Sequence, residues 1–345
     1  MKNLWQKLVD KYGYPKVFIT ILLIILLIIA IIQKQSVYGL LKDSLVRIGM
    51  NSVLVLAMVP SIVSGTGLNF ALSIGIICGL IAGCITIEMN IVGLKGFLTA
   101  VLISIPLSVM AGYLYSILLN KVKGDEMTVG TYMGFSVVSL MCIGWLLLPF
   151  RNPEMVWAIG GRGLRTTITL ANKYDKVLDR LITLPNVDLP IGTFLFFAVC
   201  CFFIWLFLRS KTGIAMMAAG SNPRFAQASG INVDKYRTIG TILSMVLGGI
   251  GILVYAQSYG FFQLYTGPLM MPFAAISAIL IGGATARKAS ISNVIAGVIL
   301  FQSLLTISLP VINRMMPEGN LSEVVRIIVS NGVILYALTR VGGNE

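Results

Sequence analysis

The sequence predicts an all-α protein that crosses a membrane about ten times, and three observations lead to this fold class. Of the 345 residues, 57% are hydrophobic and only 11% are charged, whereas soluble domains are about 25% charged. Mean hydropathy is +0.91. Several stretches without charged side chains reach the ~20 residues that a helix needs to cross ~30 Å of hydrocarbon. We therefore expect a single transmembrane domain over residues 1–345.

The charge-free stretches predict the positions of the spans. Five of them have the length of a single crossing: 17–33, 96–120, 127–150, 189–208 and 289–313. Two longer stretches, 48–87 and 238–286, would extend roughly 60 and 73 Å as straight helices at 1.5 Å per residue, so each is expected to fold back once. A further span near 322–340 brings the count to ten.

Glycine and proline indicate where the two long stretches break. In the first stretch the break is predicted at Ser64-Gly65-Thr66-Gly67. In the second stretch it is predicted around Gly267-Pro268 and Pro272. Glycine frees the backbone and proline removes a helical hydrogen-bond donor, so both residue types favour an interruption.

Lysine and arginine predict the orientation. With the N-terminus in the cytoplasm, 14 of the 26 basic residues fall in inner segments, and six of the other 12 lie in the single segment 151–190. The positive-inside rule mainly concerns short loops, so this distribution favours cytoplasmic N- and C-termini, with residues 1–16 inside. The basic start runs into the first hydrophobic segment without a small-residue cleavage site, which indicates a membrane helix rather than a signal peptide.

The segment 151–190 is the one sizeable outer loop in this scheme. Apolar side chains recur in it at helical spacing, namely Leu170, Tyr174, Val177, Leu178 and Leu181. This pattern predicts an amphipathic helix that lies on the outer membrane surface. A surface strut and a docking platform for a partner protein both fit the pattern.

The composition disfavours several kinds of chemistry. Histidine is absent, which removes the commonest general base and the commonest zinc ligand. The cysteines all fall in apolar stretches without ligand or disulfide spacing. The phosphate-binding pattern G-x-x-x-x-G-K-[ST] is also absent. We therefore predict no catalytic residue, no metal site and no cofactor in this chain.

The segment Arg209–Arg237 carries clear helix start and stop signals. Asn222 can cap a helix whose first residue is Pro223, and Gly230 can end it in the left-handed conformation. These signals enclose a helix of about two turns over residues 223–229, which is far too short to span a membrane. It is either a plain loop between two spans or a contact point for a soluble motor.

This segment resembles the cytoplasmic coupling region of permeases from the ribose-type ABC importer family, which also serves nucleosides. A sister branch of that family serves branched-chain amino acids. The similar phrases are Gly220-Ser221-Asn222-Pro223, Gly230-Ile231-Asn232-Val233, the stretch 274–284 and the glycine-rich stretch 64–75. The resemblance covers about residues 45–310. Asn69 stands where many sugar permeases carry an acidic residue, and residues 285–290 lack the usual glycine pair.

The resemblance implies a non-enzymatic transport subunit in a bacterial plasma membrane. A separate ATPase subunit would bind ATP and Mg²⁺. A second permease chain, identical or related, and an extracellular or periplasmic solute-binding protein would complete the importer. The residues expected to contact the ATPase are Asn222, Pro223, Arg224, Phe225, Ala226 and Gly230, with Phe225 as the buried anchor because an aromatic ring offers the largest contact area.

The polar side chains predict a neutral cargo. Hydroxyl and amide groups occur in the spans, whereas Asp, Glu and His are absent from their interiors apart from Glu323, which disfavours both proton coupling and a charged cargo. A nucleoside or a simple sugar fits; a branched-chain amino acid permease and a stand-alone secondary carrier are the alternatives. Residues flanking the two breaks are predicted to line the pathway: Asn51, Thr66, Asn69, Gln257 and Gln263.

Overall fold

The protein is a helical bundle with one pair of short strands, seen in a computed structural model that describes residues 14–157, 163–182, 189–315 and Gly332. The helices are α1 Tyr14–Ile32, α2 Val37–Leu56, α3 Met58–Val63, α4 Leu72–Glu88, α5 Gly93–Lys121, α6 Glu126–Leu147, α7 Ile191–Arg209, α8 Lys211–Ser221, α9 Pro223–Ala228, α10 Val233–Tyr259, α11 Gly267–Ile281 and α12 Ile291–Met315. Strand β1, Thr167–Thr169, pairs antiparallel with strand β2, Phe261–Gln263. Since α9 precedes α10 and β2 follows it, we call the two ends of the bundle the α9 end and the strand end.

The predicted all-α fold class with membrane-spanning helices is confirmed for the described residues. Seven helical stretches among them are long and apolar enough to cross a membrane, and α2 and α3 together form one of these. Two further apolar helices, α4 and α11, are shorter. The predicted span at 322–340 lies outside the described residues, apart from Gly332.

The centre of the bundle is the contact between α4 and α10. A Cβ atom added to Gly75 would lie 2.4 Å from the carbonyl oxygen of Met245, and one added to Gly79 would lie 2.3 Å from that of Gly249. Glycines spaced four residues apart on one helix face let two backbones approach in this way. Nearly all of α4 is buried as a result.

The first long stretch reverses at residues 64–71, between α3 and α4. Gly65 and Gly67 have φ angles of +81° and +76°, which glycine adopts without steric cost. The reversal lies inside the bundle, because a Cβ atom on Gly248 would come within 2.7 Å of Cδ1 of Leu72. Gly248 is about 22 Å along α10 from Val233 at 1.5 Å per residue. Helix α4 thus begins near the middle of the bundle.

The second long stretch breaks at residues 260–266, before the predicted position. Gly260 ends α10 with a φ of +87°. Pro268 stands in the first turn of α11 and Pro272 lies within it. The helix tolerates Pro268 because the first N–H groups of a helix need no partner within it. The carbonyl oxygen of Pro268, which Pro272 deprives of its helical donor, accepts a hydrogen bond from Ser73 Oγ at 2.6 Å instead.

The amphipathic helix predicted in the outer loop is absent from the described residues 163–182, so this prediction is wrong there. Residues 171–180 form consecutive turns, and Asn172 and Lys176 have positive φ angles, which an α-helix cannot contain. The apolar side chains of Tyr174 and Leu178 are buried in the protein core rather than lying on a membrane surface. The pattern imitates that of an amphipathic helix, because a chain that crosses a protein surface through turns can also bury every fourth residue.

Residues 171–180, which we call the strap, close the strand end of the bundle. The Lys176 amide donates to the carbonyl oxygen of Gln257 at 2.8 Å, and the Tyr174 hydroxyl donates to that of Gly83 at 3.3 Å. Burial raises the pKa of the Tyr174 hydroxyl, so it stays protonated and able to donate. The strap therefore ties α4 to the last turns of α10.

The hydrogen bond between Ser73 and Pro268 predicts a stability defect. Ser73→Ala leaves a buried carbonyl oxygen without a donor, which we expect to cost about 1–3 kcal/mol and to lower the midpoint of thermal unfolding of the purified protein in detergent.

Ser104→Ala is the matched control. Ser104 is also buried, but its hydroxyl donates to Val101 O three residues back in its own helix, and that oxygen keeps its helical N–H donor. Equal unfolding midpoints for the two variants would show that the Ser73 hydrogen bond is unimportant.

Candidate functional site

Two short helices, α8 and α9, project between the spans α7 and α10, and side-chain caps fix where each helix begins. Ser210 Oγ accepts from the Gly213 amide at 3.2 Å, and Asn222 Oδ1 accepts from the Phe225 amide at 3.1 Å. Gly230 has a φ of +78°, and the next amide, of Ile231, bonds back to the Ala226 carbonyl oxygen at 2.9 Å. The short capped helix predicted for residues 223–229 is therefore present over Pro223–Ala228.

Most of α9 is exposed. The Phe225 side chain is 68% exposed, and Asn222, Pro223, Arg224 and Gly230 are exposed as well. Ala226 is instead buried and packs with Ala219 and Val233. Ala226 holds the helix in place and leaves no surface for a partner, whereas the phenyl ring of Phe225 stays uncovered by the described residues.

A small concavity lies beside α9. It has a volume of about 320 Å³ and is bounded by residues that end α9 and begin α10, namely Gln227, Gly230, Ile231, Asn232, Val233 and Asp234. The exposed face of α9 and this concavity together form one irregular surface at the α9 end.

The end of α8 touches the turn that precedes α4. A Cβ atom on Gly220 would lie 2.1 Å from the Val63 carbonyl oxygen, and one on Gly65 would lie 2.8 Å from Cα of Gly220. The two backbones are thus in direct contact, three residues before α9 begins at Pro223. Sequence reasoning treated Gly220 as part of a signature phrase and did not predict this contact, because nothing local to either glycine identifies its neighbour.

A buried ion pair lies beside the same turn. Arg237 Nη2 lies 2.6 Å from Glu126 Oε1, and Arg237 also donates to the carbonyl oxygens of Gly65 at 3.3 Å and Leu119 at 3.4 Å. The Arg237 side chain is only 6% exposed. Its partners belong to α5, α6 and the turn, so one guanidinium group joins these three segments to α10. This role is not predictable from the sequence, because the partners of Arg237 lie on distant segments.

A large cavity lies towards the strand end. It has a volume of about 1100 Å³ and is bounded by α2, α10, α11, α12 and the strap. Of the five predicted pathway residues, Asn51 and Gln263 line it. A cavity of this size can hold a small solute.

The other three predicted pathway residues are not among those that line this cavity. Thr66 donates to the Ser61 carbonyl oxygen at 2.9 Å, and Asn69 donates to Ser244 Oγ at 2.8 Å. Gln257 accepts from the Leu178 amide at 3.1 Å and donates to Ser258 Oγ at 2.6 Å. These side chains stabilise the turn and the strap.

Six charged residues also line the cavity, which the sequence did not predict. The charge-free stretch that predicts this span begins at residue 48, whereas α2 begins at Val37. Three charged side chains of α2 therefore belong to the bundle. The charged lining residues are Lys42, Asp43, Arg47, Lys176, Asp179 and Arg180. Four are basic and two acidic, which gives the described lining residues a formal charge of +2. The cavity is accordingly unfavourable for a small cation.

Comparison with known proteins gives similarities along most of the chain. Residues 40–336 match the protein family described as "Branched-chain amino acid transport system / permease component". The uncharacterized protein MG121 of Mycoplasma genitalium is 29% identical over 185 residues, which are 52% of this chain and 55% of that protein.

Two further relatives have descriptive names. The nucleoside ABC transporter permease protein NupC of Lactococcus lactis is 35% identical over 101 residues, 29% of this chain and 31% of NupC. The guanosine ABC transporter permease protein NupQ of Bacillus subtilis is 31% identical over 106 residues, 28% of this chain and 33% of NupQ. The chain thus spans about a third to a half of the length of these curated relatives.

The two glycines on either side of α9, Gly220 and Gly230, predict opposite responses to substitution. Gly220→Ala places a methyl group against backbone atoms, so we expect a loss of about 1–3 kcal/mol in unfolding free energy. Gly230→Asn has open space and a residue type that tolerates positive φ, so we expect a near-normal thermal unfolding midpoint. If Gly220→Ala unfolds at the same temperature as the unmodified protein, the α8 end does not press on the turn in solution.

Proposed function

The chain belongs to the family of permease components described for branched-chain amino acid transport systems, and from this premise we propose that it is the permease subunit of an ATP-binding cassette importer for a nucleoside or a simple sugar. The observation that carries the proposal is the unit of α8 and α9: an exposed capped helix whose base touches a turn inside the bundle. Such a unit fits a subunit that is moved by a separate motor.

The proposed route of movement follows from the backbone contacts. A partner that pushes on the exposed face of α9 displaces Gly220, and Gly220 abuts Gly65 without any intervening side chain. The turn at 64–71 is continuous with α4, which lies backbone to backbone against α10. Packed interfaces of this kind shift between discrete arrangements rather than deforming gradually.

The proposed partner at α9 is an ATPase subunit that binds ATP and Mg²⁺. Phe225 would insert into a groove of that subunit, and the concavity beside α9 would receive a projection from it, as hot-spot residues do at small interfaces. Asn222, Pro223 and Gly230 would fix the shape of the docking helix and Arg224 would lie at its rim. A second permease chain and a solute-binding protein complete the assembly that we propose.

The proposed topology has ten crossings in a bacterial plasma membrane. The nine apolar stretches of the described residues and the sequence span at 322–340 supply them. The positive-inside rule places both termini and α9 in the cytoplasm, so that the large cavity opens towards the outside. In this arrangement a solute released by the binding protein enters between α2, α10, α11 and α12, where Asn51 and Gln263 are available for hydrogen bonds.

A branched-chain amino acid is the second candidate cargo, favoured by the family description and by the charges of the cavity. Arg47 and Asp43 lie one turn apart on α2 and both line the cavity, which would suit the two charged groups of a zwitterion. The names of the relatives NupC and NupQ favour a nucleoside instead.

Transport in vesicles tests the proposal. The permease is reconstituted into vesicles with a candidate ATPase subunit and a candidate solute-binding protein. Uptake of labelled nucleosides, simple sugars and leucine is followed with and without ATP on the side of the membrane that holds the ATPase. ATP-dependent uptake of a nucleoside or sugar is expected. Uptake by the permease alone would establish a stand-alone carrier instead.

Phe225→Ala is expected to abolish ATPase recruitment and ATP-dependent uptake, because removing an interface anchor commonly costs 2 kcal/mol or more, roughly a thirty-fold loss in affinity. Co-purification of the ATPase and the uptake rate measure this. Gly230→Val should have a similar effect, because valine resists the left-handed backbone that ends α9.

The matched control is Phe203→Ala on α7. Phe203 is 64% exposed, close to the 68% of Phe225, but it lies within an apolar span away from α9. Normal ATPase recruitment is expected for this variant. Normal uptake by both Phe225→Ala and Gly230→Val would show that α9 is not the coupling helix.

A further inference from the structure

Two tyrosine side chains that line the large cavity are in contact with each other. Tyr255 and Tyr259 lie one turn apart on α10, on the same face of the helix, and both belong to the cavity lining. Their ring centroids are 5.4 Å apart with 32° between the ring planes. Tyr259 also makes a T-shaped contact with Phe261, with ring centroids 5.9 Å apart and 69° between the ring planes, and this contact helps to hold the Tyr259 ring.

Both rings keep part of their surface accessible. Tyr259 is 43% exposed and Tyr255 is half-buried. Among the described residues, no side-chain or backbone group forms a hydrogen bond with either phenol hydroxyl. A wide apolar surface with free hydroxyls at its edge, placed inside a cavity, has the character of a ligand platform.

Amide groups complete the site. Gln263 lines the cavity, and its side-chain amide forms no hydrogen bond within the described part of the chain. Asn51 donates its Nδ2 to the Arg47 carbonyl oxygen at 2.9 Å, which leaves its Oδ1 as an acceptor. A carboxamide offers a donor and an acceptor next to each other, and this pair matches the edge of a heterocyclic base.

We propose that Tyr255 and Tyr259 form a stacking platform for a planar heterocyclic base, whose edge is bound by the amides of Gln263 and Asn51. The proposal rests on the importer function proposed above and names the part of the cargo that this chain itself recognises. The base can come from a nucleoside or from a free nucleobase, since both present the same ring. The positive lining selects against a protonated base.

Binding to the purified assembly tests the platform separately from transport. Labelled guanosine, guanine, uridine and ribose are each titrated onto the detergent-solubilised complex of permease and ATPase without the binding protein. Base stacking on an aromatic ring is worth enough for about a ten-fold change in dissociation constant. We expect guanosine and uridine to bind, ribose to bind at least ten-fold more weakly, and guanine to show whether the ribose is needed.

Paired substitutions separate the ring from the hydroxyl. Tyr255→Ala and Tyr259→Ala are each expected to weaken nucleoside binding about ten-fold, whereas Tyr255→Phe and Tyr259→Phe keep the ring and should stay within about three-fold of the unmodified protein. Tyr132→Ala is the control, because Tyr132 is 69% exposed on α6 and is not among the cavity-lining residues. Thermal unfolding of each variant confirms folding.

The two proposals fail in different ways. Nucleoside binding that is unchanged by both alanine variants, or ribose binding equal to guanosine binding, overturns the platform even if ATP-driven uptake is intact. Base-dependent binding that both alanine variants weaken supports the platform, including in an assembly whose uptake proves independent of ATP, which would overturn only the importer function.

Discussion

The direct backbone contact between α4 and α10 is the constraint on which the rest of the structure depends. Where Gly75 and Gly79 meet the carbonyl oxygens of α10, no side chain is available to absorb a displacement. The turn at 64–71 is covalently continuous with α4 and touches Gly220 in the same manner. A displacement at the α9 end must therefore either be resisted or move a helix, because close-packed interiors have little free volume.

An interrupted helix inside an apolar bundle is costly unless its polar backbone groups are satisfied, and here both nearby and distant residues satisfy several of them. The Ser61 carbonyl oxygen accepts from both the amide and the hydroxyl of Thr66, and Arg237 donates to the carbonyl oxygen of Gly65. Ser73 serves the carbonyl oxygen of Pro268 across the bundle. The polar residues around the two breaks thus have a structural task, which explains why three of the five predicted pathway residues do not line the cavity.

Helix α10 connects the two proposed sites. It begins directly after the docking helix and ends beside the cavity, with Tyr255 and Tyr259 in its last two turns. Its 27 residues span about 40 Å. Arg237 holds this helix at one end and the strap holds it at the other. In the proposed mechanism a movement of α9 therefore moves α10 as one rigid element and changes the shape of the cavity. The charged residues of α2, which line the same cavity, would then change their distance from the tyrosines as the element moves.

The sequence by itself determined the features that depend on neighbours along the chain. Long apolar stretches specify membrane-spanning helices whatever surrounds them, and Asn222, Pro223 and Gly230 specify α9 because capping involves residues only a few positions apart. Tertiary structure alone decided the strap, where the buried Tyr174 and Leu178 imitate an amphipathic helix. It also decided that the second break precedes α11, which continues past Pro272 because Ser73 donates to Pro268. The cavity with its charges and tyrosines likewise exists only in the packed bundle. The physical reason is that the partners of these side chains lie on distant segments, so their burial and hydrogen bonds exist only after the helices pack.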